Sequence, residues 1–271
     1  MSDQERFREY VEMWWQAIDD LTRLLENVPP DQWSSPTDLA GWDVHAIAAH
    51  VAHLEAVMSG ADHDDVEIGK PAHVRGMMGS FTEQGVVARR DRSGDSLIQE
   101  IRESATRRHT QLLSEPPADL TAPADGLAAL MGWNWETLLR NRPFDIWMHE
   151  QDVRRAVDLP GNLDSPAAQH SADYLVASLG FVVGKRVGAP AGTSVVLAVE
   201  GSAPRAVSVG DDGRANPVAV PPATPTVSLA LGRADFVALA GGRRTAADLE
   251  VQVDGDQDLA QQILDAFAVT P

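Results

Sequence analysis

The chain changes character once along its length, and that change limits what it can fold into. All seven tryptophans and seven of the eight histidines lie before residue 150, whereas the stretch after 190 has neither and is rich in Val, Ala, Gly and Pro. At about 100 to 200 residues per domain, 271 residues read as two domains, each able to bury about two thirds of its surface. The composition step places them at 1–162 and 163–271.

The first part has helical period. Phe7, Val11, Trp14, Ile18, Leu21 and Leu25 recur at spacings of three and four, with charged residues opposite, until Pro29-Pro30. A second helix is expected from Asp43, an N-cap residue type, through Val44, Ile47, Val51 and Leu54 to Gly60. The following segment carries Gly69, Pro71, Gly76, Gly79 and Gly85 and reads as too broken for one clean element. A third helix is expected from Asp95 to Pro116 and a fourth from Trp135 to Val157, with a kink or break at Pro143. Four long amphipathic helices in this length predict a bundle with crossover connections. Beyond it, 165–187 reads as one more helix, bridging or packed on the bundle. Strands are expected over Thr193–Val199, Ala206–Val209, Thr226–Leu231 and Leu249–Val253, with helices over Ala234–Ala240 and Gln257–Phe267. The expected class is therefore a helical bundle followed by a small α+β domain.

Composition removes several functions. Acidic residues outnumber basic ones 40 to 22, a net charge of −18, and Lys occurs only at 70 and 185. Nucleic acid and anionic membrane surfaces need clustered basic charge, so neither is an expected partner. With no cysteine there is no disulfide framework and no thiolate nucleophile. Any sulfur chemistry needs a thiol from outside. The polar start (Ser2, Asp3, Gln4, Glu5, Arg6) and the absence of a long apolar run make a cytoplasmic location the expectation.

The chemistry-bearing segment is Arg142-Pro143-Phe144-Asp145-Ile146-Trp147-Met148-His149. On a helix, Asp145 and His149 stand on neighbouring turns of one face, about 5 to 6 Å apart at Cβ, which suits two ligands of one cation. An exposed intrahelical hydrogen bond is the bland alternative. His50 shifts the balance: it lies three after Ile47 and four before Leu54, so it points into the bundle, where an imidazole needs a partner or a metal. Two histidines and a carboxylate make three ligands with an open position, the arrangement of a catalytic cation. His53 lies about 60° off the His50 direction and reads as rim or cofactor-binding; His45 reads as solvated surface, His63 as a solvated loop residue and His109 as core or pocket lining. His73 and His170 have no suggestive company.

The Trp42-to-His50 spacing, the Asp145/His149 pair, the run Gln151-Asp152-Val153-Arg154-Arg155-Ala156 and the later Gly241-Gly242-Arg243-Arg244 together resemble the mycothiol-dependent maleylpyruvate isomerase family. That resemblance implies a DinB-like four-helix metal domain joined to an α+β domain similar to sterol carrier proteins. It implies His50, Asp145 and His149 as ligands of a divalent ion, with zinc favoured by the donor set, and an arginine from the second domain, matched by Arg243, acting at the reaction centre. The family acid is Glu where this chain has Asp145, which keeps Glu150 and Asp152 open as alternatives. The implied activity is thiol S-transfer or isomerisation, with mycothiol as cosubstrate and Arg243 or Arg154 orienting a carboxylate on the electrophilic acceptor. A metal-dependent hydrolase and a non-catalytic binding protein are the rivals. The expected partners are small molecules, and the chain a monomer or homodimer.

Overall fold

The computed structural model describes residues 1–270 and divides into two compact units, Met1–Gly161 and Asn162–Pro271.

In the first unit, α1 (Asp3–Glu26) begins with a capping box. Ser2 Oγ accepts the Glu5 backbone N–H at 3.3 Å, and the Glu5 carboxylate accepts the Ser2 N–H at 2.6 Å, so two of the donors stranded at a helix start are paired. The expected stripe from Phe7 to Leu25 is buried, each member no more than 3% exposed. α2 (Val44–Met58) starts where Asp43 accepts the Ala46 N–H at 2.8 Å. Apart from His45, every residue of α2 from Val44 to Ala56 is buried, as befits a helix apolar on all sides. Its five buried alanines keep it narrow where α3, α4 and α6 pack on it.

α4 (Gly94–Ser114) is capped by Ser93, one residue before its start, rather than by Asp95. After the short α5 (Gly126–Leu130), α6 (Trp135–Ala156) runs continuously through Pro143. The break expected there does not occur: one lost backbone donor is outweighed by packing of α6 along α1. The segment expected to be irregular also folds, as α3 (Gly76–Ala88). Gly85 within it is required by contact rather than by a turn. A Cβ on Gly85 would lie 2.1 Å from Cγ of His53, which is fully buried on α2.

His53 Nδ1 lies 3.3 Å from Asp64 Oδ2, and Asp64 is paired with Arg89 at 2.5 Å. Arg89 in turn binds Glu100 of α4 at 2.8 Å. Burial, then the Arg89 guanidinium, pushes the His53 imidazole down to about 4, with Asp64 opposing.

The second unit opens with α7 (Pro166–Val176), followed by α8 (Leu179–Phe181) and a π-helical turn, Val182–Val187. The single helix expected over 165–187 is thus divided. Its later part lies directly against a strand: a Cβ at Gly180 or Gly184 would come within 2.8 Å of the Ala215 backbone. The sheet comprises β1 (Ser194–Val199), β2 (Arg205–Val209), β3 (Ala215–Val218), β4 (Val227–Leu231) and β5 (Val251–Gly255), in the order β3-β2-β1-β4-β5. Only β1 and β4 are parallel neighbours. β3 was not expected, because Pro217 weakens the strand signal; a short edge strand tolerates it.

Val195, Leu197 and Val199 of β1 stand beside Val227, Leu229 and Leu231 of β4, all buried on one face. α9 (Arg233–Ala240) and α10 (Gln257–Asp265) complete the unit. Phe236 and Phe267 meet edge-on with centroids 5.5 Å apart and are essentially fully buried, each contributing about 1.5–3 kcal/mol. No helix among the described residues is long and apolar enough to cross a membrane.

Two outcomes follow from the α2–α3 contact. Gly85→Ala drives a methyl group into the His53 ring and is expected to cost about 1–3 kcal/mol by urea unfolding; wild-type stability would show that the two helices separate freely. His53 is protonated near pH 6.5 when unfolded but only near pH 4 when folded. Between those values the unfolded state holds the extra proton, so stability falls as pH drops across the window. His53→Leu is expected to flatten that fall by up to about 1.4 kcal/mol per pH unit. Unfolding midpoints measured from pH 7 to 4.5 provide the check, and identical slopes would refute it.

Candidate metal centre

Three side chains from two helices of the first unit meet. His50 projects from the middle of α2, and Asp145 and His149 from successive turns of α6. One donor atom from each lies within 4.8 Å of the others. His149 Nε2 is 3.6 Å from Asp145 Oδ1, and His50 Nε2 is 3.9 Å from Asp145 Oδ2. The imidazoles face each other edge-on, their centroids 4.7 Å apart and their planes at 74°. Two donors each about 2.1 Å from one tetrahedral ion stand about 3.4 Å apart, so this spacing needs only slight contraction to embrace a cation.

Charge around the group is arranged by pairs. Arg142, one turn before Asp145 and 4% exposed, donates from Nη1 to Asp145 Oδ2 at 2.9 Å and from Nη2 to Glu55 Oε1 at 2.6 Å. Glu55 is fully buried on α2 and also accepts the Trp14 indole N–H at 3.2 Å. Burial raises the Asp145 carboxyl, but Arg142 together with the two imidazoles outweighs it and holds the group down to about 2. Burial, with the His149 charge when present, depresses His50 to about 3 against the pull of Asp145. Near neutral pH, Asp145 is therefore ionised and His50 neutral, the forms that bind metal.

His149 is oriented by hydrogen bonding. Its Nδ1 lies 3.2 Å from Asp152 Oδ2, which places the proton on Nδ1 and leaves Nε2 free to ligate. Asp152 is held by Arg155 Nη2 at 2.5 Å, and Arg155 Nε reaches Asp38 at 2.7 Å. Asp152 thus orients a ligand rather than joining the donor group. Glu150, also fully buried, pairs with Arg154. Of the three acids left open by the sequence, Asp145 is the one in the cluster.

The other expected residues of the first unit lie outside this donor group. His53 turns toward Asp64, His63 and Phe81 instead of the cluster. Arg154 donates to Glu150 at 2.7 Å and to the Leu159 carbonyl at 3.1 Å, tying down the end of α6; it is not beside the donor group, because it lies about 140° around the helix from His149. Arg243 belongs to the second unit, just after α9, with Nη1 donating to the Gly241 carbonyl at 2.6 Å. His63 stacks on Phe81 at 4.1 Å, not in open solvent, and His109 stacks on Trp15 at 4.5 Å. Sequence reasoning missed Glu55 and Arg142. The available signals were one acid inside the apolar run of α2 and one arginine three residues before Asp145.

Comparison with known proteins identifies the family and the fold. The model of the mycothiol maleylpyruvate isomerase N-terminal domain matches residues 14–154, and that of the MDMPI C-terminal domain matches 169–262. No curated protein matches the chain. Among solved structures, the mycothiol-dependent maleylpyruvate isomerase is similar at 18% identity and TM-score 0.55, and a histidine-to-alanine mutant of such an enzyme at 16% and 0.58. Each comparison covers 92% of both chains, a likeness of fold. With both of its domain models matched in order along the sequence, the chain belongs to the mycothiol maleylpyruvate isomerase family.

Proposed function

We propose that the protein is a divalent-metal-dependent enzyme in which mycothiol, or a closely related low-molecular-weight thiol, attacks an electrophilic small molecule, giving isomerisation or S-transfer. The observation that carries this reading is the convergence of His50, Asp145 and His149 from α2 and α6. Two imidazole nitrogens and one carboxylate fit zinc well, with a coordination position left for an exogenous ligand. When bound, the ion supplies Lewis-acid stabilisation that keeps a thiol deprotonated near neutral pH. The absence of cysteine fits a nucleophile that arrives from outside.

The protein's own residues prepare and hold the centre. Arg142 fixes Asp145 and balances Glu55; Asp152 holds the His149 proton on Nδ1. Burial of His50 and His149 keeps bulk water from the donors. For isomerisation, the acceptor is a double bond conjugated to a carbonyl group. The thiolate forms a C–S bond as the π pair moves toward the carbonyl, the resulting single bond rotates, and the returning pair re-forms the double bond and expels the thiolate.

Elemental analysis of the purified protein is expected to find about one divalent ion per chain, lost in His50→Ala and in His149→Ala while both remain folded. No metal in the wild type would leave a binding protein as the better reading. Mixed with a conjugated cis-alkenyl keto acid, the metal-loaded protein is expected to turn over only when mycothiol is added. Turnover at full rate without thiol would make water the nucleophile and the protein a hydrolase.

A further inference from the structure

The two imidazoles of the cluster are held in different ways. His149 has the Asp152 carboxylate on Nδ1, the usual device for fixing a ligand ring. His50 has nothing comparable: it is 4% exposed, and its Nδ1 is buried without a hydrogen-bond partner among the described residues. Its ring lies instead against Trp42, with centroids 4.9 Å apart and planes at 41°, and the same indole lies 6.1 Å from the His149 ring.

Trp42 is itself restrained. Its Nε1–H donates to Glu83 Oε2 at 3.0 Å across from α3. Glu83 is 5% exposed, and the same oxygen is 3.1 Å from His73 Nε2. A buried carboxylate is retained only with such donors. The His73 ring also covers Gly41, where φ is +83° and a Cβ would lie 2.3 Å from His73 Nδ1, so the turn carrying Trp42 is held at Gly41 as well as at the indole. The Trp42 side chain also lines a cavity of about 650 Å³ with Trp33, His45 and Glu83, whereas none of the three donors lines it.

We infer that Glu83 is a positioning residue for the metal centre, acting through Trp42, whose indole replaces the missing hydrogen bond in orienting His50. Glu83 and His73 fix the indole, and the indole fixes the ring. The inference rests on the metal-centre reading above.

Cobalt(II) titration of the full chain, followed by visible absorption, tests it without any turnover. Loss of a partner that orients a ligand typically weakens affinity about 10–100-fold. Glu83→Leu is expected to weaken cobalt binding at least about tenfold and to alter the ligand-field bands, whereas Glu83→Gln, which keeps an acceptor for the indole, stays within about threefold. If Glu83 acts through Trp42, their effects are not additive: in a Trp42→Phe background Glu83→Leu adds no more than about twofold. Folded Glu83→Leu binding cobalt like the wild type, or losses that add, would overturn the proposal. Should Glu83→Leu fail to fold, Trp42→Phe and Trp42→Leu decide. Phe keeps a plate against His50 and is expected to hold cobalt about tenfold more tightly than Leu; equal affinities overturn the role of the indole. Wild-type protein that binds no cobalt defeats the metal-centre reading itself, an outcome distinct from a wild type that binds while Glu83 proves indifferent.

Discussion

The bridge from Glu55 through Arg142 to Asp145 is the constraint on which the first unit depends. It ties α2 to α6 at the level where His50 and His149 meet, through bonds of 2.6 and 2.9 Å, with Glu55 and Arg142 buried and Asp145 partly exposed. Burying the Glu55 and Arg142 charges is costly, and removing one partner from such a buried pair typically costs about 3–5 kcal/mol because the other is left uncompensated. The arrangement is therefore tolerant of neither sliding nor rotation between the two helices. A metal group built from one helix would need no such tie; one shared between helices has its geometry set by whatever fixes their relative position.

The same bridge sets the charge of the centre. Glu55 and Asp145 are two carboxylates that share one guanidinium, that of Arg142. A full dicarboxylate would repel itself, and a neutral set would have little to offer a cation. Two carboxylates sharing one guanidinium keep an attraction for a divalent ion while their mutual repulsion is relieved. Arg142 does this by occupying Oδ2 of Asp145, so the carboxylate meets the ion with its geometry already restricted.

What the sequence made legible was whatever repeats locally. The α1 stripe, the Asp43 cap and the pairing of Asp145 with His149 all depend on helical period, and each was found where spacing put it. His50 was legible because its position within the α2 stripe told which way it pointed. The features that escaped are tertiary. Gly85 reads as a breaker until His53 is seen resting where its side chain would be, and Gly180 and Gly184 read as ordinary helix residues until the Ala215 backbone is seen beneath them. His73 showed no suggestive company because its partners, Glu83 and the Gly41 turn, are ten or more residues away.

The Asp at 145 follows from these contacts. The resemblance leads one to expect Glu there, and a side chain one methylene shorter has less reach. In this chain reach is not what is needed, because Asp145 presents Oδ1 to His149 at 3.6 Å and Oδ2 to His50 at 3.9 Å while the latter oxygen also receives Arg142. A longer arm in the same place would push its carboxylate past the Arg142 fork or fold back along α6, at a cost in rotamer strain. Substituting the acid without moving Arg142 thus trades one set of bonds for another. The acid, its arginine and the Glu55 on the facing helix form one hydrogen-bonded unit.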